Sequence, residues 1–229
     1  MSLLEVRELS TGYGSTRVLR NVNLVLEEGS VTTIFGRNGV GKTTLLRAIM
    51  GLLPGTRGSI QLDRVEISSM PTHQIVRRGV AYAAQEQGLF PEHTVLENLQ
   101  IAVRGSRTND LNELLDEFPR IREREGQLAG TLSGGEQKML LAVRTLATAK
   151  RLAILDEIVE GVQPSLLGLF QQAIRHSQQR GLSILLVEQH VAFAMPISSH
   201  YLVINSETVV ESGRVTQDTT KNIERHLVL

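Results

Sequence analysis

Leu4 and Val6, and later Val22, Leu24 and Leu26, fall on alternate positions of the amino-terminal part of the chain. That is the period of strands with one buried face. Val31 to Phe35 is a short run rich in β-formers, and beyond a glycine-rich stretch Leu45, Leu46, Ile49 and Leu52 take up helical spacing. Strand, loop and helix are therefore predicted in that order. From Gln85 to Gly135 the pattern is helical, in "TVLENLQIAV" and "LNELLDEF", with almost no alternation. This predicts a helical insertion over approximately residues 86–150. "RLAILDE" and "LSILLVEQ" are short aliphatic runs on either side of a helix expected from near Pro164 to about Arg180. Such runs suit a parallel sheet covered by helices. "YLVINSETVVESG" reads as a hairpin turning at Ser206 and Glu207. With no repeat and no low-complexity linker, residues 1–229 are read as a single α/β domain.

Composition narrows the function. The chain carries 24 basic and 24 acidic side chains, so no global field draws it to nucleic acid, and no nucleic-acid partner is expected. It has no cysteine, and its six histidines lack paired ligand spacing, which removes disulfides, thiolate sites and a zinc site from consideration. The longest uncharged stretch, between Glu188 and Glu207, contains Gln189, His190, Pro196 and Asn205 and does not suit a bilayer span. The opening "MSLLEVRELS" reads as a strand and lacks the pattern of a secretion leader. The expected location is the cytosol.

Chemistry concentrates in three places. Gly36, Gly41, Lys42 and Thr43 satisfy the phosphate-loop pattern G-x-x-x-x-G-K-[ST], with Arg37, Asn38, Gly39 and Val40 between them and Thr44 after. Glycines let backbone N–H groups wrap a triphosphate, the following helix presents its positive end, Lys42 meets the β/γ-phosphates and Thr43 ligates magnesium. ATP and Mg2+ are the expected cofactors. At the end of "RLAILDE", Asp156 is placed to hold the metal and Glu157 to polarise a water. Third, "LSGGEQ", Leu132 to Gln137, puts a serine and two glycines at a helix start, a second anion-binding corner.

With these residues the chain resembles the ATP-binding cassette family, whose signature "LSGGEQ" is intact, over nearly its whole length. The resemblance implies a phosphate-loop NTPase fold of that family: a mixed sheet, an amino-terminal antiparallel β-subdomain and the helical insertion. It implies that Ser133, Gly134 and Gly135 act in trans on ATP held by a second cassette, and hence a dimer. Tyr13 in "TGYGSTRVL" matches the aromatic that stacks on adenine, with Val18 near the base. Gln85 matches the glutamine that senses magnesium and γ-phosphate, and "QEQGLFPEHTVLENL" then becomes the coupling surface to membrane subunits. Lys42, Glu157 and the switch residue carry catalysis.

Four positions depart from the family pattern. Ile158 follows Glu157 where proline is usual, Ala84 precedes Gln85 where proline is frequent, and "EGVQ" puts Gln163 in place of an inter-subunit aspartate. At the switch, "LLVEQH" places Gln189 where a histidine is usual and His190 one residue later. Glutamine can donate a hydrogen bond to a phosphate but carries no charge. "VEQ" and "EGVQPS" are similar to the smaller ATPase of bacterial branched-chain amino acid and urea importers, and "GRNGVGKTTLL" with "IMGLLP" leans to the urea branch. That class pairs two different ATPase chains with membrane permease subunits, on the inner face of the membrane; in isolation the chain would pair with itself. The competing reading is a soluble cassette ATPase acting on nucleic acid or the ribosome, opposed by a single cassette without a heptad run. A small-molecule kinase would have no use for "LSGGEQ".

Overall fold

Burial follows the alternation at once. In the computed structural model, which describes residues 1–85, 88–103 and 108–227, β1 (Ser2–Tyr13) and β2 (Thr16–Glu27) form an antiparallel pair. Leu4 lies opposite Leu26, Val6 opposite Leu24 and Leu9 opposite Val22, and all six are buried. Val25, on the other face, is 51% exposed. The chain leaves through β3 (Val31–Phe35), the glycine loop and α1 (Lys42–Ile49), and returns in β4 (Arg57–Leu62) and β5 (Val65–Glu66). This closes a four-stranded antiparallel sheet in the order β2-β1-β4-β5.

α1 ends one turn earlier than its apolar spacing suggests. Gly51, at φ 68°, turns the chain out of the helix, and Leu52, expected on the buried face, is 49% exposed.

A short helix, α2 (Thr72–Arg77), leads to β6 (Val80–Ala83). The insertion follows as α3 (Val95–Ala102), α4 (Thr108–Glu117), α5 (Pro119–Arg122) and α6 (Gly134–Thr148). α3 begins at a capping box in which Thr94 and Glu97 satisfy each other's backbone N–H groups. The edge-on Phe118 and Phe170 rings, 5.3 Å apart, fasten the insertion to the helix after β7. The remainder alternates as β7 (Leu152–Asp156), α7 (Leu167–Gln179), β8 (Ser183–Glu188), α8 (Val191–Ala194), β9 (His200–Asn205), β10 (Thr208–Arg214) and α9 (Thr219–Leu227). The hairpin between β9 and β10 turns at Ser206 and Glu207, both at positive φ.

The second sheet has the order β10-β9-β3-β8-β7-β6 and is parallel except for β10. Its inner strands β3, β7 and β8 are buried on both faces and divide their residues between two cores. Phe35, Ala153, Leu155, Ile184 and Leu186 face α6 and α7, while Ile34, Leu152, Ile154, Leu185 and Val187 face α1 and the antiparallel sheet. Register then sets the site: Phe35 pairs with Glu188 and Asp156 with Val187. The carboxyl ends of β3, β7 and β8 lie side by side, where ligands bind in open α/β sheets.

Candidate active site

The glycine loop is shaped by what cannot fit in it. A Cβ on Gly36 would lie 2.7 Å from the Ile204 carbonyl, and one on Gly41, at φ 106°, would lie 2.7 Å from Leu19 Cδ2. Arg37, Asn38 and Gly39 are exposed at the tip, while Val40 and Thr44 turn inward. α1 starts with no side-chain cap and no acid in its first turn, so its leading N–H groups and positive end remain for an anion. Lys42 is buried, its Nζ donating to the carbonyls of Gly36 (2.9 Å) and Arg37 (2.8 Å) and pairing with Glu157 Oε1 at 3.0 Å.

The two carboxylates at the end of β7 occupy different environments. Asp156 is buried, and burial pushes its pKa up, against the lowering effect of the Thr43 and Tyr82 hydroxyls. Tyr82 donates to Oδ2 at 3.1 Å, whereas Oδ1 has no hydrogen-bond partner among the described residues. A buried, orphaned carboxylate oxygen beside a threonine hydroxyl fits a hard divalent cation, which reverses the penalty of burying that charge. One carboxylate with a hydroxyl and an amide oxygen is a Mg2+-type donor set once phosphates complete it.

Glu157 is the point of convergence. Besides Lys42, its Oε1 accepts from Gln189 Nε2 at 3.0 Å and its Oε2 from Gln85 Nε2 at 2.8 Å. Gln85 Nε2 also donates to Glu160 (2.7 Å), which leaves its Oε1 to turn toward a metal or phosphate. Gln189 Nε2 donates as well to Asn38 on the glycine loop. Gln189 is therefore the side chain bonded to Glu157, while His190, exposed at the start of α8, lines the same cavity.

Next to Gln189, Glu188 is buried in the end of β8, and burial, reinforced by the nearby Glu157 charge, raises its pKa to about 8. The folded state thus keeps a proton that the unfolded chain releases near the ordinary value of 4.5. Between those values the folded state binds more protons, so this group's contribution to stability falls as pH rises through that window and levels off above it. Glu188→Gln is accordingly expected to raise Tm more at about pH 9 than at about pH 5, as read by thermal melts across pH. Equal shifts at both ends would refute the assignment.

Tyr13 is 44% exposed at the end of β1, its hydroxyl accepting from Arg47 at 3.3 Å, and Val18 packs over Gly41. Both stand beside the glycine loop. Ser133, Gly134 and Gly135 do not. Among the described residues no hydrogen bond or ion pair joins them to that loop. Ser133 caps α6, its hydroxyl donating to Glu136 at 2.7 Å, and Arg124 pairs with the same carboxylate at 2.9 Å. The exposed α6 start is complete as a helix cap and makes no bond to the glycine loop, while Gly134 lines a cavity together with Gln85.

Comparison with known proteins decides the family. The family model described as ABC transporter matches residues 19–160. The chain belongs to the ABC transporter family. It is an ATPase cassette of that family, binding nucleotide and coupling ATP hydrolysis to transport. It is 32% identical to the high-affinity branched-chain amino acid transport ATP-binding protein BraG of Pseudomonas aeruginosa, over 95% of this chain and 93% of that one. It is 35% identical to the probable branched-chain amino acid transport ATP-binding protein LivF of Archaeoglobus fulgidus, over 96% and 93%. The lipopolysaccharide export system ATP-binding protein LptB of Escherichia coli is 29% identical over 95% and 92%. A solved ATP-binding subunit of an ABC transporter superposes with a TM-score of 0.83 at 26% identity, covering 99% of this chain and 95% of that one. Transport by the family implies membrane permease partners, and among the described residues no helix is long and apolar enough to cross a membrane.

Three participants in this ABC cassette escaped the sequence reading. Tyr82 and Lys138 carry no motif and Glu188 entered only as the middle of "VEQ" with no role of its own, yet they contact Asp156, the Glu157 carbonyl and the turn after Glu157. Only Glu188 left a signal, an acid closing the aliphatic run "SILLVE".

Proposed function

We propose that the chain is the ATP-binding and hydrolysing subunit of a bacterial importer of the branched-chain amino acid and urea class, energising uptake through separate membrane subunits. The observation that carries this is the convergence of Lys42, Gln85 and Gln189 on the Glu157 carboxylate, beside a glycine loop and a helix start without a side-chain cap or an acid in its first turn. In this reading the loop Gly36–Thr44 holds the phosphates of ATP, Tyr13 and Val18 hold the base, and Thr43, Gln85 and Asp156 hold Mg2+. Glu157 takes a proton from the attacking water, while Lys42 and Gln189 meet the γ-phosphate.

Ser133, Gly134 and Gly135 serve the ATP of a second cassette, which explains why they stand apart from the loop of their own chain. A different ATPase chain is the expected partner, with self-pairing in isolation. The importer direction and the amino acid or urea class are supported by the two relatives above 30% identity and by "VEQ" and "EGVQPS". Phe90, Leu96 and Ile101, in and near α3, are exposed apolar side chains that can meet the membrane subunits, with the cassette peripheral on the cytoplasmic face. Glu86 and Gln87 of the expected coupling segment, and the start of the insertion at 86, lie outside the described residues.

ATP hydrolysis by the purified chain at several concentrations tests the reading. The rate per cassette should rise with concentration, since each site needs a signature from another chain. Gln189→His should raise the maximal rate several-fold, because a charged imidazole makes a stronger bond to phosphate than an amide does. A rate per cassette independent of concentration, with Gln189→His inert, would sink it.

A further inference from the structure

Glu157 sits at φ 49°, a left-handed conformation that is unfavourable for a non-glycine residue and persists only where its surroundings over-determine it. The next residue, Ile158, has no ring to fix its backbone. Four contacts hold the turn: Glu157 N–H donates to the Val187 carbonyl at 2.9 Å, Glu160 N–H donates to the Glu157 carbonyl at 3.3 Å, Lys138 Nζ donates to the same carbonyl at 3.2 Å, and Val159 N–H donates to Glu188 Oε1 at 3.4 Å. Glu188 immediately precedes Gln189 at the end of β8. Its side chain therefore ties the turn that carries the catalytic carboxylate to the strand end that carries the switch amide.

We propose that Glu188 is a positioning residue that fixes the turn carrying Glu157 against the strand end carrying Gln189 by accepting the backbone N–H of Val159. The inference rests on the reading of the site given above. Packing alone gives no reason for an acid here. Glu188 follows four buried aliphatic residues, Ile184 to Val187, and is itself 2% exposed, at a place where a carboxyl is unfavourable unless its hydrogen bonds offset the loss of water. Its charged neighbours are Glu157 on the turn and Lys138 on α6, and Glu160 and His190 line the same cavity of about 460 Å³. The carboxyl is mostly protonated near neutral pH, so the useful feature is its carbonyl oxygen as an acceptor, which glutamine reproduces and valine, a good strand former, does not.

The test compares wild type, Glu188→Gln, Glu188→Val and Glu157→Gln in full-length chain. Glu188→Val should lower kcat for ATP about tenfold or more with KM within about twofold, and Glu188→Gln should restore kcat to within about threefold of wild type. Amide hydrogen exchange of residues 157–163, which needs no turnover, should quicken about tenfold in Glu188→Val and stay near wild type in Glu188→Gln. Wild-type exchange and kcat in Glu188→Val, or equal impairment of Glu188→Gln and Glu188→Val, overturns the proposal. Should Glu188→Val fail to fold, an impaired Glu188→Gln alone has the same force. Should Glu157→Gln hydrolyse ATP normally, it is the reading of the site that fails, and the exchange data still judge Glu188.

Discussion

Glu157→Gln is expected to abolish ATP turnover, by at least about a hundredfold, while leaving ATP bound. General-base assistance contributes typically about 10² to 10⁴ in rate, and the amide keeps the size of the carboxylate but cannot take a proton. Binding should survive because its main determinants lie elsewhere: the N–H groups of the glycine loop, the start of α1 and Lys42, which keeps its bonds to Gly36 and Arg37. With hydrolysis blocked, ATP should hold two cassettes together, since nothing removes the phosphate that bridges them. Single-turnover hydrolysis and gel filtration with Mg-ATP read the two effects. A variant that turns over normally would show Glu157 to be a structural carboxylate and move the search for a base to Glu160.

The second large effect is that of Lys42→Met, which should weaken ATP binding more than tenfold and destabilise the fold. Lys42 is the cation on the buried Glu157 carboxylate, and breaking a buried ion pair by removing one partner costs about 3–5 kcal/mol. Gln85 and Gln189 still donate to Glu157, so the cost should fall near the lower end. Adding Glu157→Gln to Lys42→Met should recover part of the lost stability without recovering ATP affinity, because the stranded charge is gone but the phosphate cation is still missing. Thermal melts and nucleotide titration of both variants separate the two contributions; a Lys42→Met melt equal to wild type would mean that the pair stabilises nothing.

The legible parts of this molecule were those written in local patterns. Period-two alternation placed the buried faces of β1 and β2, the glycine loop marked the junction of β3 and α1, and Asp156 and Glu157 stood at the end of an aliphatic strand. The capping box of Ser133 and Glu136 is equally local. Less legible were features that depend on which strands become neighbours. Tyr82 reaches Asp156 because β6 pairs with β7, and Lys138 reaches Glu157 because α6 crosses beneath the sheet, neither of which any spacing in the sequence encodes. The choice between Gln189 and His190 was open for the same reason. Only the end of β8 relative to β3 and β7 decides which of two consecutive side chains faces the carboxylate. Leu52 misled because helical spacing ran on past the residue where Gly51 ends the helix.

The division of the central strands between two cores has a further consequence. α1, the antiparallel sheet and the glycine loop rest on one side of a single layer of backbone; α6, α7 and the insertion rest on the other. Side chains on opposite sides share no packing volume, so a change in one compartment is felt in the other chiefly through the strands themselves. Away from the start of α6 and Lys138, which reach the nucleotide groups, the helical side can then be altered for a new membrane partner while the glycine loop on the far side keeps its packing.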